Sequence, residues 1–156
     1  MDYNIHMNKY HGFTLIELIV TLAVVGVLFA VAVPNIMFTT TSNRLTTQYN
    51  DMRADFSFAR NEAVTRNVAV TISSGGDWST GWTIGTPTTT LRNTETKTGA
   101  AIISAVNSFT YNSDGTANAT AATTFTVCDN RTGTYGKQLV INVAGRGRLN
   151  KDAACP

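Results

Sequence analysis

The chain has 156 residues, of which 43% are hydrophobic, so it is long enough for one domain with a core of ordinary size. Charged residues make up only 14%, and threonine alone supplies 26 positions, a bias that suits a β-rich domain. The formal net charge is +2, so any binding of nucleic acid must depend on a local cluster of charge.

Histidine is nearly absent. The two histidines, His6 and His11, both precede a long apolar run that begins at Phe13. A chain cut before that run contains no histidine, which excludes a Ser-His-Asp or Cys-His nucleophile, an imidazole zinc site and a His general base. The sequence therefore predicts a protein that is not an enzyme and that carries no metal and no cofactor.

Residues 13–38 form an apolar run whose only charged side chain is Glu17. As a helix the run would be about 39 Å long, enough to cross a bilayer. An ordinary secretory signal is cut after its apolar stretch, whereas here a polar leader ends in Gly12 directly before the run. We therefore expect a leader peptide at 1–12, the membrane half of a helix at 13–38 and a soluble domain at 39–156.

The segment from Gly12 to Leu18, GFTLIEL, resembles the processing site of type IV prepilins and type II secretion pseudopilins. The resemblance implies that a prepilin peptidase cuts between Gly12 and Phe13 and methylates the new amine of Phe13. It also implies other pilin subunits as partners. The protein would be a single-pass inner-membrane protein with a periplasmic domain before assembly, and would lie on the extracellular pilus surface afterwards.

Glu17 would be a carboxylate inside the membrane. Such a charge costs about 2.5 to 3.5 kcal/mol on insertion scales, which indicates a function. The resemblance implies that Glu17 pairs with the amine of Phe13 on a neighbouring subunit and sets the axial register of the filament. The alternative is that Glu17 only complements the positive end of the dipole in the first helical turn.

After Pro34 the pattern becomes one-sided, with apolar residues spaced by three and four. This stripe predicts that the helix continues to about residue 67 and packs on a core. We expect the helix to be kinked or locally melted between Pro34 and Ser42, because a proline and a Thr/Ser run both weaken the helical hydrogen-bond ladder. The stripe consists of Leu45, Tyr49, Met52, Phe56, Ala59 and Ala63.

From Val68 onward the apolar period becomes two, which is typical of strands. A helix followed by five or six short antiparallel strands predicts an α+β fold, with the sheet packed on the amphipathic half of the helix. Trp78 and Trp82 are expected in the core or at a sheet edge, with stacking platforms as the alternative. The strand candidates are 68–73, 78–84, 101–106, 109–111, 123–128 and 138–144, and 86–98 is expected to be a loop or a ragged edge.

Cys128 and Cys155 are the only two cysteines. An even pair on the exported side of a membrane anchor predicts a disulfide that ties the C-terminal tail to the sheet, with two free thiols as the alternative.

The C-terminal 26 residues carry five positive side chains and one acidic side chain, Asp152, a surplus larger than the net charge of the whole chain. In an extended chain Arg146 and Arg148 would point to the same side, and a guanidinium binds phosphate in a bidentate manner. Gly145 and Gly147 let the backbone approach a partner closely. The positive side chains are Arg131, Lys137, Arg146, Arg148 and Lys151.

A C-terminal GRxR segment on this architecture resembles the GspH/FimT-type minor pilins that take part in binding DNA during natural transformation. The resemblance implies non-sequence-specific contacts to DNA phosphates from Arg146 and Arg148, supported by Lys151, Lys137 and Arg131. Asp129 and Asp152 depart from a wholly basic flank. The alternatives are a solvated loop, or a type II secretion pseudopilin H-like structural subunit whose basic tail contacts a neighbouring subunit.

Overall fold

The computed structural model describes residues 12–96 and 99–156, so most of the predicted leader lies outside the described residues. The chain divides into two compact units, Met1–Thr39 and Thr40–Pro156. In the first unit the described apolar side chains from Phe13 to Phe29 are exposed. A search of the described residues finds no helix with the length and apolarity needed to cross a membrane.

Helix α1 runs from Leu15 to Arg66. The hydroxyl oxygen of Thr14 accepts a hydrogen bond from the backbone N–H of Glu17 (3.3 Å), which is the first half of a capping box. The expected local melting between Pro34 and Ser42 is wrong, because the helix is uninterrupted there. One proline removes a single ladder bond, and helical threonines can donate back to the preceding turn, as Thr46 does to the carbonyl of Ser42 (2.8 Å).

The apolar stripe of α1 forms one side of the core in the second unit. All six of its predicted members are at most 2% exposed, which confirms the packing role: Leu45, Tyr49, Met52, Phe56, Ala59 and Ala63. The spacing of three and four residues brings them to one face of the helix.

Eight strands in the described part of the chain form two antiparallel sheets. The first sheet has the order β3-β2-β1-β5 and the second has β4-β6-β7-β8. A 3-10 helix at Trp78–Thr80 precedes β2. The strands are β1 Val70–Ser73, β2 Gly81–Gly85, β3 Thr90–Glu95, β4 Ala101–Ser104, β5 Ser108–Tyr111, β6 Thr123–Cys128, β7 Gly133–Ile141 and β8 Gly147–Cys155.

The α+β class is confirmed, but the expected single sheet is two. Strand β3 lies inside 86–98, the expected loop or ragged edge; it is an edge strand with most side chains exposed, so it lacks apolar alternation. Strand β7 ends at Ile141, earlier than expected, and Trp78 lies in the 3-10 helix instead of a strand. Strand β8 was not predicted at all.

Phe56 of α1 connects the helix to both sheets. Its ring centroid lies 5.6 Å from that of Phe109 in the first sheet and 4.7 Å from that of Phe125 in the second. Trp78 and Trp82 are each 2% exposed, so they pack in the core and do not offer stacking platforms. The two sheets and the helix therefore share one aromatic centre.

Asp55 is a buried carboxylate that the sequence pattern did not reveal. Its oxygens accept hydrogen bonds from the Trp82 indole N–H (2.9 Å), the Arg92 guanidinium (2.6 Å) and the Thr94 hydroxyl. These three donors all belong to β2 and β3, so a polar contact fixes the first sheet to α1.

The predicted disulfide is present. Cys128 ends β6 and Cys155 ends β8, and the Cα atoms of the two residues are 5.8 Å apart. Gly136 makes room for the bond, since a Cβ there would lie 2.8 Å from the sulfur of Cys155. The last strand is therefore fastened to the second sheet by its ladder with β7 and by this covalent link.

Candidate nucleic-acid interface

Strands β7 and β8 form a hairpin whose turn, residues 142–146, carries the first arginine of the basic segment. Asn142 holds this turn: its N–H donates to the carbonyl of Arg146 (3.1 Å), and its side-chain oxygen accepts from the N–H of Arg146 (2.9 Å). The N–H of Gly145 donates to the carbonyl of Asn142 (2.9 Å). The backbone that presents Arg146 is thus fixed by three hydrogen bonds.

The hairpin places the basic residues on different faces. Arg148 pairs with Val140, whereas Lys151 pairs with Lys137, which shares its face with the buried Leu139. Because side chains alternate along a strand, Arg148 lies on the opposite face from Lys137 and Lys151. The five predicted charges therefore do not form one patch.

Arg146 and Arg148 are both exposed. Within residues 12–96 and 99–156, neither has an ion pair with a carboxylate. Arg146 belongs to the turn and only Arg148 belongs to the strand, so the extended geometry assumed for the pair holds only for its second member. Both guanidinium groups are nevertheless available to an anion.

Arg131 is occupied within the domain. Its guanidinium donates to both carboxylate oxygens of Asp129 and lies 4.5 Å from the ring centroid of Tyr135. Burial alone would raise the pKa of Asp129, but the hydrogen bonds and charge of Arg131 outweigh it and leave that pKa below its ordinary value. The ion pair cancels the charge that Arg131 was expected to add.

Lys137 is also engaged. Its ammonium group donates to the hydroxyl of Thr46 on α1 (2.6 Å). Burial and, secondarily, the charge of Lys151 lower the pKa of Lys137.

Asp152 has a φ of 61° and no partner in the β7–β8 register, so the acidic residue of the tail forms a bulge in β8.

Glycine in the turn serves the domain itself. Gly145 is buried with a φ of 74°, and a Cβ there would lie 2.0 Å from the carbonyl oxygen of Gly115. Gly147 is exposed, and a Cβ there would meet only the side chain of Leu139, at 3.1 Å. The close approach that requires glycine is therefore between two turns of this chain.

Two arginines of α1 that the sequence reasoning did not select, Arg53 and Arg60, lie beside the turn. With Arg146 they line a pocket of about 200 Å³ between the helix and the hairpin. Their spacing of seven residues places them on one side of the helix, but nothing in the sequence shows that this side faces the turn. In the described part of the chain no group of three or more His, Cys, Asp or Glu is placed to hold a metal.

Comparison with models of protein families identifies two matches. The model described as type II transport protein GspH matches residues 48–145, which include the helix stripe except Leu45, most of both sheets and the β7–β8 turn up to Gly145. The chain belongs to the GspH family. A second model, the prokaryotic N-terminal methylation motif, matches residues 7–33, which contain Gly12, Phe13 and Glu17.

Two solved structures of the type IV minor pilin FimU from Pseudomonas aeruginosa, from different crystal forms, are similar to this GspH-family chain. One has a TM-score of 0.66 at 26% identity and covers 76% of this chain and 96% of FimU. The other has a TM-score of 0.62 at 27% identity and covers 71% and 96%. No curated protein matches the chain. The chain is a GspH/FimT-type member of the type IV pilin and pseudopilin family with the minor-pilin fold.

Proposed function

We propose that this chain is a minor type IV pilin that binds DNA without sequence specificity and supports DNA uptake in natural transformation. The observation that carries the proposal is the pair of exposed arginines, Arg146 and Arg148, at the end of a hairpin whose turn is fixed by Asn142. Neither has a carboxylate partner in the described part of the chain.

The chemistry of this end suits a phosphate backbone. Guanidinium groups donate two parallel hydrogen bonds to a phosphate, and a turn held by hydrogen bonds loses little entropy when it binds. Lys151 adds an exposed positive charge on the other face of β8. Arg131 and Lys137 add less, because Asp129 and Thr46 already engage them.

The direct test measures DNA binding by the purified full chain in a non-ionic detergent. The fluorescence anisotropy of a labelled duplex reports the binding at low salt. Replacing Arg146 and Arg148 together with glutamine should weaken binding by at least about tenfold, because two phosphate contacts are lost. The matched control replaces Arg44 and Arg66, two exposed helix arginines, and should change binding by less than about twofold. A folded parent that binds no DNA, or a double variant that binds as the parent does, would overturn the proposal.

Processing and assembly form the second part of the proposal. A prepilin peptidase cuts between Gly12 and Phe13 and methylates Phe13, the apolar half of α1 anchors the chain in the inner membrane, and other pilin subunits then take it into the filament. The match to the methylation motif supports this route. Mass spectrometry of the N-terminal peptide tests it, because a mature chain that begins elsewhere contradicts it.

Glu17 has two proposed roles, pairing with Phe13 of a neighbouring subunit or completing the first turn of α1. The bond from its N–H to Thr14 places it in that first turn. Replacing Glu17 with alanine should permit cleavage but impair incorporation if the carboxylate pairs between subunits. Replacement by glutamine should impair incorporation too, since it keeps size but removes the charge, and normal assembly of both variants would refute the pairing role.

The alternative function is a type II secretion pseudopilin H-like structural subunit, favoured by the description of the family that matches residues 48–145. In that case Arg146 and Arg148 contact a neighbouring subunit. The double glutamine variant would then lose co-purification with partner pilins, while the parent would bind no DNA.

A further inference from the structure

We propose that the pocket between α1 and the β7–β8 turn is a binding site for a single phosphate group, and that Arg53 and Arg60 hold that phosphate together with Arg146. The pocket has a volume of about 200 Å³. This inference rests on the proposed DNA binding for the source of the phosphate, a backbone phosphodiester, and it extends the contact surface from the hairpin onto the helix.

One stripe of α1 forms the helical wall of the pocket. Arg53, Ser57, Arg60 and Asn61 all line it, and their spacing of four, three and one residues keeps them on one side of the helix. The apolar stripe that packs on the core lies beside these polar residues of α1. The polar side chains therefore line the pocket near the surface, and the buried Phe56 lines its inner end.

Arg60 is oriented before any ligand binds. Its Nε donates to the carbonyl oxygen of Gly115 (2.9 Å), and a Cβ on Gly145 would lie 3.1 Å from the same nitrogen. Tyr111 also lines the pocket. Burial raises the pKa of Tyr111, and the positive charge of Arg60 partly offsets that rise, so the guanidinium is close enough to influence the phenol electrostatically. A held guanidinium loses less entropy on binding than a free one.

The pocket has positive charge without a matching negative one. Arg53, Arg60 and Arg146 line it, no acidic residue does, and none of the three has a carboxylate partner in the described ranges 12–96 and 99–156. Acidic residues on the adjacent segments have other partners: Asp55 pairs with Arg92, Glu62 pairs with Arg66, and Asp114 accepts from Thr116. Three like charges around one concave surface favour an anion over water.

Size and geometry select a phosphate group. Pockets for drug-sized ligands have volumes of about 300 to 1,000 Å³, and this pocket is smaller. Guanidinium forks match the oxygens of a phosphate, and Ser57, Asn61 and the glycines of the turn leave space for the group between them. Since Arg146 belongs both to the pocket and to the proposed DNA contact, one phosphate of a bound duplex would enter here.

The experiment compares Arg53→Gln with Arg44→Gln in the full chain in non-ionic detergent. Arg53 is exposed and its side chain makes no hydrogen bond within the described ranges 12–96 and 99–156, so its loss should not disturb the fold, whereas Arg60 also supports the Gly115 turn. Arg44 lies nine residues earlier on the opposite side of the helix and is the charge-matched control. Two probes are used. Binding of inorganic phosphate is monitored by NMR of the Gly145 and Gly147 amides. Binding of a labelled duplex is monitored by fluorescence anisotropy.

We expect phosphate to shift the two glycine amides in the parent and in Arg44→Gln, and to shift them little in Arg53→Gln. Duplex affinity should fall about three- to tenfold in Arg53→Gln and stay within about twofold in Arg44→Gln. If duplex affinity and phosphate shifts are both unchanged in Arg53→Gln, the pocket is not a phosphate site and the proposed DNA binding by Arg146 and Arg148 stands. If phosphate binds and depends on Arg53 but no duplex binds, the pocket is a site for a phosphate from another source, and the proposed function fails instead.

Discussion

Gly145 and Gly115 meet backbone to backbone, and a Cβ on Gly145 would lie 2.0 Å from the carbonyl oxygen of Gly115. The same oxygen accepts the Nε–H of Arg60. A backbone bond from Ala117 to the carbonyl of Val143 closes the junction (3.0 Å). The turn that carries Arg146 is therefore positioned by a neighbouring turn from another part of the chain.

Replacing Gly145 with alanine should lower the free energy of unfolding by at least about 2 to 3 kcal/mol. A left-handed backbone costs an L-residue about 1 to 2 kcal/mol, and the overlap with Gly115 forces the two turns apart in addition. Chemical denaturation of the purified chain measures the change.

Gly75→Ala is the matched control for this substitution. Gly75 has a similar φ of 67°, but a Cβ there would meet nothing within 4 Å. We expect a loss of only about 1 kcal/mol, because backbone strain remains and the overlap does not. Equal losses in the two variants would contradict the packing role of the Gly145–Gly115 contact.

The disulfide should contribute mainly to stability. The chain-entropy model gives about 3.5 kcal/mol for the 27-residue separation of Cys128 and Cys155, so the double serine variant should unfold at a correspondingly lower denaturant concentration. Thiol labelling of the native exported protein checks the bond, since labelling without a reductant would show that it is absent.

The same double serine variant should retain most of its DNA binding, with a change of less than about twofold. Cys155 pairs with Gly133 at one end of the hairpin, whereas Arg148 pairs with Val140 near the other end. Loosening one end of a hairpin leaves the ladder at the turn intact. A large loss of DNA affinity would mean that the disulfide, and not the turn, positions Arg146 and Arg148.

How far the sequence predicted this structure depended on how each element is stabilised. The helix stripe and β6 were predicted closely because burial on one face imposes a period that can be counted. Strand β8 was missed because seven of its nine residues are exposed, so ladder bonds to β7 and the disulfide hold it without an apolar pattern. The role of Asp55 was missed because its partners belong to β2 and β3, far along the chain.

The site shows the same limit. Arg146 and Arg148 were found because they are close together in the sequence. Arg53 and Arg60 were not, because the turns that face them are more than 50 residues away and only the fold brings them near. The summed side-chain charge of the C-terminal segment also overestimated the basic surface, because it includes Arg131 although Asp129 neutralises that side chain.

The Asp129–Arg131 pair should make stability depend on pH in the acid range. The pKa of Asp129 in the folded chain is below its ordinary value of about 3.8, so its stabilising effect is complete above that value and is lost as the pH falls through the folded pKa. Asp129→Asn should lose about 1 to 2 kcal/mol at pH 7, and its stability should fall less steeply below pH 4.

Arg131→Gln provides the second arm of this measurement. It removes the guanidinium hydrogen bonds and charge that lower the pKa of Asp129, so only backbone hydrogen bonds still oppose the burial that raises that pKa. This variant should lose stability at pH 7 as well, and its stability should fall less steeply through the acid range than the parent's, because Asp114 with its lowered pKa still contributes there. Parallel pH profiles for the parent and Asp129→Asn, measured by denaturation at each pH, would show that the pair does not contribute.

The salt dependence of DNA binding should count the arginines that touch phosphate. If Arg146 and Arg148 are joined by one or both of Arg53 and Arg60, three or four contacts give a slope of about −2.7 to −3.6 in a plot of log affinity against log salt. Affinity should then fall about 40- to 150-fold between 50 and 200 mM salt. Each arginine that contacts phosphate should reduce the slope by about one when it is replaced with glutamine.

Arg131→Gln should leave the slope unchanged, because that guanidinium is already paired with Asp129. A slope that Arg131→Gln reduces as much as Arg148→Gln does would mean that the duplex opens the Asp129 pair, and that the whole basic tail, instead of its turn and the helix beside it, forms the DNA surface.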